Sequence, residues 1–472
     1  MRYRQMRMDK VNPLFVLRKQ WIFSYLFIQS LDGGSTMNEQ ISNQQLNSAG
    51  HLTIGGCDAL DLARQYGTPL MVYDVSQIRH QIRAFKQVFE EKDVNYAVSY
   101  ASKAFATIAM YQLAASEGAH VDVVSGGELF TALQAGFPMD AVSFHGNNKS
   151  SAELEMAVKN HVGTIMIDNF HEIKLLAAIL DKYDSDIDVM LRITPGISAH
   201  TNEYIQTGQV DSKFGFDLQS GQADQALEQV LANPHMKMKG LHAHIGSQIF
   251  ELAGFQGVAQ KLVEVADHWQ KQYGYQAEVI NVGGGFGIQY VQEDHPLAPE
   301  EFVAAIIEAI KVEIANTNLT MPAIWIEPGR SIVGPSGYTL YTVGARKDVP
   351  GLKPYVTIDG GMGDNIRPAL YQAKYETVLA RDPQAPLTEH ARLAGKYCES
   401  GDILSQDQAL PATKPGDILA TLDTGAYGYA MASNYNRNPR PAVVFAENGR
   451  AQLVVERESY QDLVRLDRPY QQ

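Results

Sequence analysis

Eight short apolar runs, separated by amphipathic helical stretches, constrain residues 96–326 more tightly than any other feature of the chain. The strand cores read as 96–99, 121–124, 142–145, 164–167, 189–193, 240–244, 279–282 and 324–326. Between most of them apolar residues recur at helical spacing, as in 152–160, 170–182, 226–232, 258–273 and 300–316. Such repeats build a parallel sheet covered by helices, either an open doubly wound sheet or a closed barrel. Eight units over roughly 250 residues favour the (β/α)8 barrel.

After Gly337 the pattern changes to short β-like runs at 338–345, 355–359, 391–397, 418–423, 442–446 and 452–457, divided by turns rich in Gly, Pro and Asp. A helical period intervenes only near 425–434. The expected fold class is therefore α/β, a (β/α)8 barrel with a second, all-β domain of sandwich or barrel-like form. A helix at 58–66 stops at Gly67-Thr-Pro69, and the strand 70–74 that follows is placed to pair with the β domain. The expected division is an extension at 1–45, a segment at 46–78 packing with the β domain, the barrel at 79–337 and the β domain at 338–472.

The first 36 residues differ from the rest. Arg2, Arg4, Arg7, Lys10, Arg18 and Lys19 precede the apolar stretch 21–28, the order of a secretory signal. The apolar core is short, no clean cleavage site follows, and a membrane span needs about 20 residues. The expectation is a poorly ordered upstream extension with the natural start at Met37, a targeting peptide being the alternative. A net charge of −14 argues against nucleic acid or an anionic membrane as the main partner, although it leaves room for a small zwitterion. Cys57 and Cys398 lie too far apart in sequence for a metal-ligand spacing and suit a reducing compartment, hence a cytoplasmic location.

In a barrel the carboxyl ends of the strands share one rim, where active sites are built. Those ends carry Lys103, Ser125-Gly-Gly-Glu128, His145-Gly-Asn147, Asp168, Arg192, His244 with Ser247, Gly283-Gly284-Gly285 and Glu327-Pro328-Gly329-Arg330. Taken singly, Lys103 is a solvated loop lysine; aimed into a pocket, its desolvated amine has a lowered pKa and attacks carbonyls. The glycine run lets backbone N–H groups approach an anion, with Ser247 beside it, yet it lacks the dinucleotide spacing. Isolated, it is equally a flexible loop. Glu327 suits a cationic ring nitrogen and Arg330 a carboxylate or phosphate, against the plainer reading of a surface ion pair. His242 and His244 share one strand face and could bind zinc if His145 and Asp168 joined them, as in barrel hydrolases. Arg367 and Tyr371 face one way if helical. Cys398-Glu399 places a thiol beside a carboxylate on a turn, and a shielded thiol can donate a proton; the plainer reading of both stretches is ordinary loop residues of the second domain.

Together these stretches resemble the pyridoxal-phosphate-dependent decarboxylases of the alanine-racemase-like fold. The resemblance runs from about Leu60 to Val454 and rests on Tyr100-Ala-Ser-Lys103, His244-Ile-Gly-Ser247-Gln, Gly283-Gly-Gly285, Glu327-Pro-Gly-Arg330, Arg367-Pro-Ala-Leu-Tyr371, Cys398-Glu-Ser-Gly-Asp402 and Gly425-Ala-Tyr427. The segment 199–208, with Lys213-Phe-Gly-Phe216 after it, is similar to the family's loop after strand five. It implies that the barrel binds pyridoxal 5'-phosphate covalently on Lys103, with His244 stacked on its ring and Glu327 on the ring nitrogen. Gly283, Gly284, Gly285, Ser247, the turn Pro328-Gly329-Arg330 and Tyr427 would take the phosphate. Arg330, Arg367 and Tyr371 would hold a distal substrate carboxylate, with Tyr427 nearby. Glu399 and Cys398 would come from the second subunit of a homodimer, one meeting a distal ammonium and the other returning a proton. The implied activity is decarboxylation of meso-2,6-diaminopimelate to L-lysine, the end of lysine biosynthesis, with no metal. Ornithine or arginine decarboxylation, a non-catalytic cofactor-binding relative and a zinc hydrolase are the alternatives.

Overall fold

The computed structural model describes residues 45–197 and 212–471. The expected extension and start at Met37, and the loop 199–208, lie outside them almost entirely.

Strand β1 (Leu70–Asp74) precedes the barrel strands β2 (Tyr96–Ala101), β3 (His120–Val123), β4 (Val142–Phe144), β5 (Thr164–Ile167), β6 (Ile187–Thr194), β7 (Met236–His242), β8 (Val279–Asn281) and β9 (Ala323–Ile326). Neighbours along this series pair in parallel, and β9 returns to β2 through Ile324↔Tyr96, which closes the barrel of eight. Helices return the chain between strands, and side-chain caps start several of them: Ser150 and Glu153 form a reciprocal box at Ser151–Lys159, and Asn169 caps Phe170–Tyr183.

The strand period of two arranges the barrel interior in layers. Met166, Met190, Val279 and Trp325 form a small apolar cluster with Ala97. Two positions further on stand Asp168, Arg192, Asn281 and Glu327, all buried. An apolar floor thus supports a polar layer facing the active-site rim. Buried charges cost several kcal/mol each when unpaired, so this layer must satisfy itself or a ligand.

The second sheet has nine strands. Beyond β1 they are β10 (Gly337–Lys347), β11 (Tyr355–Ile358), β12 (Thr377–Leu379), β13 (Glu389–Ala394), β14 (Ile403–Leu410), β15 (Ile418–Thr421), β16 (Ala442–Glu447) and β17 (Arg450–Val455). Strand β1 pairs antiparallel with β10 and parallel with β16, as its position in the sequence suggested. Both of its faces are buried. Leu70 and Val72 enter the β-domain core, whereas Met71 and Tyr73 join the barrel's. The helical period near 425–434 does not become a helix: only a short turn, Tyr429–Met431, forms there. Gly425 and Gly428 in this stretch disfavour a continuous helix. No described helix is long and apolar enough to cross a membrane.

Candidate active site

Strand β2 ends in a single 3-10 turn, Ser102–Ala104, which lifts Lys103 onto the rim. The turn is held from three sides. Ala101 N–H donates to the Pro328 carbonyl at 3.1 Å and Tyr427 N–H to that of Ala104 at 2.8 Å. Ser102 Oγ lies 2.7 Å from the Asp122 carbonyl oxygen. Behind it Tyr73 stacks on Phe105 at 4.3 Å. Burial alone would lower the pKa of the Lys103 amine, but Asp122, Tyr427 and Glu327 outweigh it and hold the amine above its usual range. The desolvated, acidified amine expected from sequence is thus reversed by negative neighbours.

Glu327 is 5% exposed. Its Oε2 lies 3.1 Å from His242 Nε2, and its Oε1 accepts from Asn281 Nδ2 at 2.7 Å. His145 Nε2 stands 3.2 Å from Oε1, close enough for attraction though misaligned for a hydrogen bond. Burial would push this carboxyl up, yet the two imidazoles override it and hold it well below the ordinary range. Glu327 is a carboxylate kept ionised in a dry place. His242 is therefore its support, and a surface ion pair with Arg330 does not form.

His244 has its pKa held well below the usual value, by burial first and by Lys103 and Arg192 next. Its Nδ1 accepts from Gly284 N–H at 3.2 Å, which only an unprotonated nitrogen can do. Within the glycine run, Gly283 N–H bonds Asn281 Oδ1 at 2.9 Å, and Gly285 alone of the three lines the cavity. Ser247 Oγ receives Arg330 Nη2 at 2.9 Å.

Two hollows of about 240 Å³ and about 320 Å³ meet at Lys103, His244 and Glu327. The first runs to Arg330, Arg367, Tyr371 and Tyr427; the second to Asn147, Arg192 and Lys213. Arg330 and Arg367 are 5% and 8% exposed, and among the described residues no ion pair reaches either. Aromatic rings surround them instead. Arg330 Nη1 donates to Tyr290 Oη at 2.5 Å and Arg367 Nε to Tyr375 Oη at 2.8 Å, with Tyr427 and Tyr371 rings at 4.9 Å and 5.3 Å. Two desolvated guanidiniums without an acid form a strong anion site. Tyr290 and Tyr375 escaped sequence reading because neither stands at a strand end.

Cys398 and Glu399 are exposed on the turn after β13 and do not line this cavity. The zinc alternative needed Asp168 beside the histidines, but its Oδ2 accepts from Gly215 N–H at 3.1 Å. The atoms that do gather are on His145, His242 and Glu327. An amine, an ionised carboxylate, a neutral imidazole and an arginine–serine corner suit a pyridine aldehyde that bears a phosphate. The residues fit pyridoxal 5'-phosphate.

Comparison with known proteins agrees. The pattern of the pyridoxal-binding domain of pyridoxal-dependent decarboxylases matches residues 75–334. The chain is 56% identical over 424 residues to the diaminopimelate decarboxylase of Bacillus subtilis, covering 90% of this chain and 97% of that one. With the enzyme of that name from Staphylococcus aureus it shares 47% over 421 residues, 89% of this chain and 98% of the other. Among solved structures, diaminopimelate decarboxylase from M. jannaschii in complex with L-lysine superposes with a TM-score of 0.84 at 33% identity, covering 90% and 97% of the two chains. The lysine/ornithine decarboxylase of Vibrio vulnificus, at 22% identity over 82% of this chain and 97% of that one, shares the fold with a TM-score of 0.69. The chain belongs to the pyridoxal-dependent decarboxylases, in their diaminopimelate decarboxylase branch.

Proposed function

We propose that this chain releases CO2 from meso-2,6-diaminopimelate to give L-lysine, the last step of lysine biosynthesis, with pyridoxal 5'-phosphate carried on Lys103. One observation carries the choice of substrate: the buried, acid-free pair Arg330 and Arg367 at one end of the Lys103 cavity. Ornithine and arginine have no distal carboxylate and would leave Arg367 buried and unpaired, costing several kcal/mol by order of magnitude.

The cofactor, when bound, supplies the electron sink for the carbon–carbon bond that breaks. Glu327, held ionised by His242, Asn281 and His145, keeps a proton on the ring nitrogen. His244, neutral at Nδ1, forms the wall against the ring. Ser247, Gly285, Gly329, Arg330 and Tyr427 line the cavity and would receive the phosphate, whereas Gly283 and Gly284 spend their N–H groups on Asn281 and His244 and shape the run behind it. Arg330, Arg367 and Tyr371 would hold the distal carboxylate at one end of the cavity, which sets the reacting end of the substrate towards Lys103. As CO2 leaves, the carbon that loses it takes a proton, and Cys398 is the donor, with Glu399 on the distal ammonium.

Cys398 and Glu399 act in the neighbouring subunit of a homodimer. Their exposure, away from the lining of their own chain's cavity, supports this arrangement. Two free cysteines fit a reducing cytoplasm, and a barrel at 79–337 with a β domain at 338–472 fits the two sheets.

The test is direct. Purified protein is examined for cofactor absorbance, reduced with borohydride and mapped, then assayed for CO2 from meso-diaminopimelate, ornithine and arginine. A label on Lys103 with preference for meso-diaminopimelate is expected. No absorbance, or a label elsewhere, refutes the cofactor assignment; preference for ornithine refutes only the substrate.

A further inference from the structure

Two carboxylates outside the cavity, Asp364 and Asp402, are each 2% exposed. Both are spent on one junction. Asp402 Oδ1 accepts the Met362 N–H at 2.6 Å and Oδ2 the Tyr397 N–H at 2.8 Å. Asp364 Oδ2 accepts the Gly361 N–H at 2.9 Å, and its Oδ1 accepts Tyr397 Oη–H at 3.3 Å. Lys396 N–H adds a bond to the Gly360 carbonyl at 2.9 Å. The two backbone stretches are thereby laced together around the Asp402 carboxylate.

The packing leaves no slack there. A methyl on Gly361 would stand 2.4 Å from Asp402 Oδ1, and one on Gly395 2.2 Å from Oδ2. Both distances are far inside contact, so glycine on either side makes the space for this carboxylate.

Each laced stretch leads to a site residue. From Gly361 the turn runs through Asn365, whose N–H donates to the Gly361 carbonyl at 3.0 Å and whose Oδ1 accepts the Arg367 N–H at 3.3 Å. On the other side Tyr397 directly precedes Cys398, and Asp402 N–H closes the loop on the Glu399 carbonyl at 3.1 Å.

We propose that Asp402 is a positioning residue for the decarboxylation: it locks the turn bearing Arg367, in one active site, to the Cys398–Glu399 loop offered to the neighbouring site. This rests on the shared-site reading above. Its charge-assisted bonds hold both stretches in register, so an error at one is passed to the other.

Hybrid dimers separate the two arms. A C398A chain mixed with a K103A chain has one working site per hybrid, and neither parent alone is active. Placing D402N on the C398A chain disturbs only the Arg367 turn of that working site. Placing it on the K103A chain disturbs only the loop delivered to it. The expected results are a KM for meso-diaminopimelate raised about tenfold in the first hybrid and a kcat lowered about tenfold in the second, with cofactor absorbance unchanged. Control-like kinetics in either hybrid overturn the proposal. An inactive C398A/K103A control overturns it together with site sharing, which distinguishes the two failures. Should D402N lose cofactor or melt early, Asp402→Ser takes its place, since it keeps one acceptor and adds no bulk between Gly361 and Gly395. The same KM-and-kcat split is then required, and its absence refutes the proposal.

Discussion

In the proposed mechanism Glu327 is the residue on which the chemistry turns, because burial alone would have neutralised it. Its ionisation depends on His145 and His242, the second of which looked from the sequence like half of a zinc pair. Replacing Glu327 with Gln should lower kcat at least about 10²-fold while borohydride still labels Lys103, since the cofactor keeps its other contacts. Arg367→Ala should lower kcat/KM for meso-diaminopimelate about 10²-fold and barely change the slow turnover of ornithine, measured side by side. The residues in this constellation were legible because each ends a barrel strand or sits in a short motif. The direction of the Lys103 shift was not, since it depends on Asp122 and Tyr427, which approach from other elements. Tyr290 and Tyr375 were illegible for the same reason: a ring that cages a guanidinium has no local pattern.

At the scale of elements, all eight barrel strands could be read from alternation and length. Two β-domain strands could not. Thr377–Leu379 is only three residues, and Ile403–Leu410 carries Ser405-Gln-Asp-Gln408 through its middle, which erases the apolar signal. Strand β1 was legible, but its double burial was not. Tyr73 on that strand is 1% exposed and donates its hydroxyl to the Gly425 carbonyl at 2.7 Å. Tyr73→Phe should cost about 1 kcal/mol and Tyr73→Ala about 3–5 kcal/mol in urea unfolding. Asp364 gives a pH test. Burial pushes its carboxyl up to about 6 and Asp402 adds to the rise, while the Gly361 N–H and the Tyr341 and Tyr397 hydroxyls oppose it. Arg457 is the cation within its field. The folded chain therefore holds a proton that the unfolded chain releases near 3.8, so this group's contribution falls as pH rises from about 4 to about 6. Asp364→Asn should gain about 3 kcal/mol on wild type between pH 4 and pH 7, read from paired denaturation curves.

For the whole molecule, the proposed sharing of sites between subunits would make activity a property of association. Dilution below the dimer dissociation constant should abolish CO2 release while cofactor absorbance persists on Lys103, with a sizing column reporting the fall from twice the 52.1 kDa chain mass. A monomer that stays active on dilution would refute the arrangement. The sequence could suggest the proposed donation of this loop only through the family resemblance, because exposure of Cys398 and Glu399 appears only once the chain is folded.

Strand β1 also sets the order in which the protein can be completed during synthesis. It leaves the ribosome before any barrel strand, yet its partners β10 and β16 begin at residues 337 and 442. Until β16 emerges, one edge of β1 has nothing to pair with, and the Tyr427 amide that ties the Lys103 turn has only just been made. Such long-range closure is slow and exposes unpaired edges to aggregation. The lysine turn, encoded in the first quarter of the chain, therefore waits for residues more than 300 positions later and is among the last parts of the molecule to be fixed.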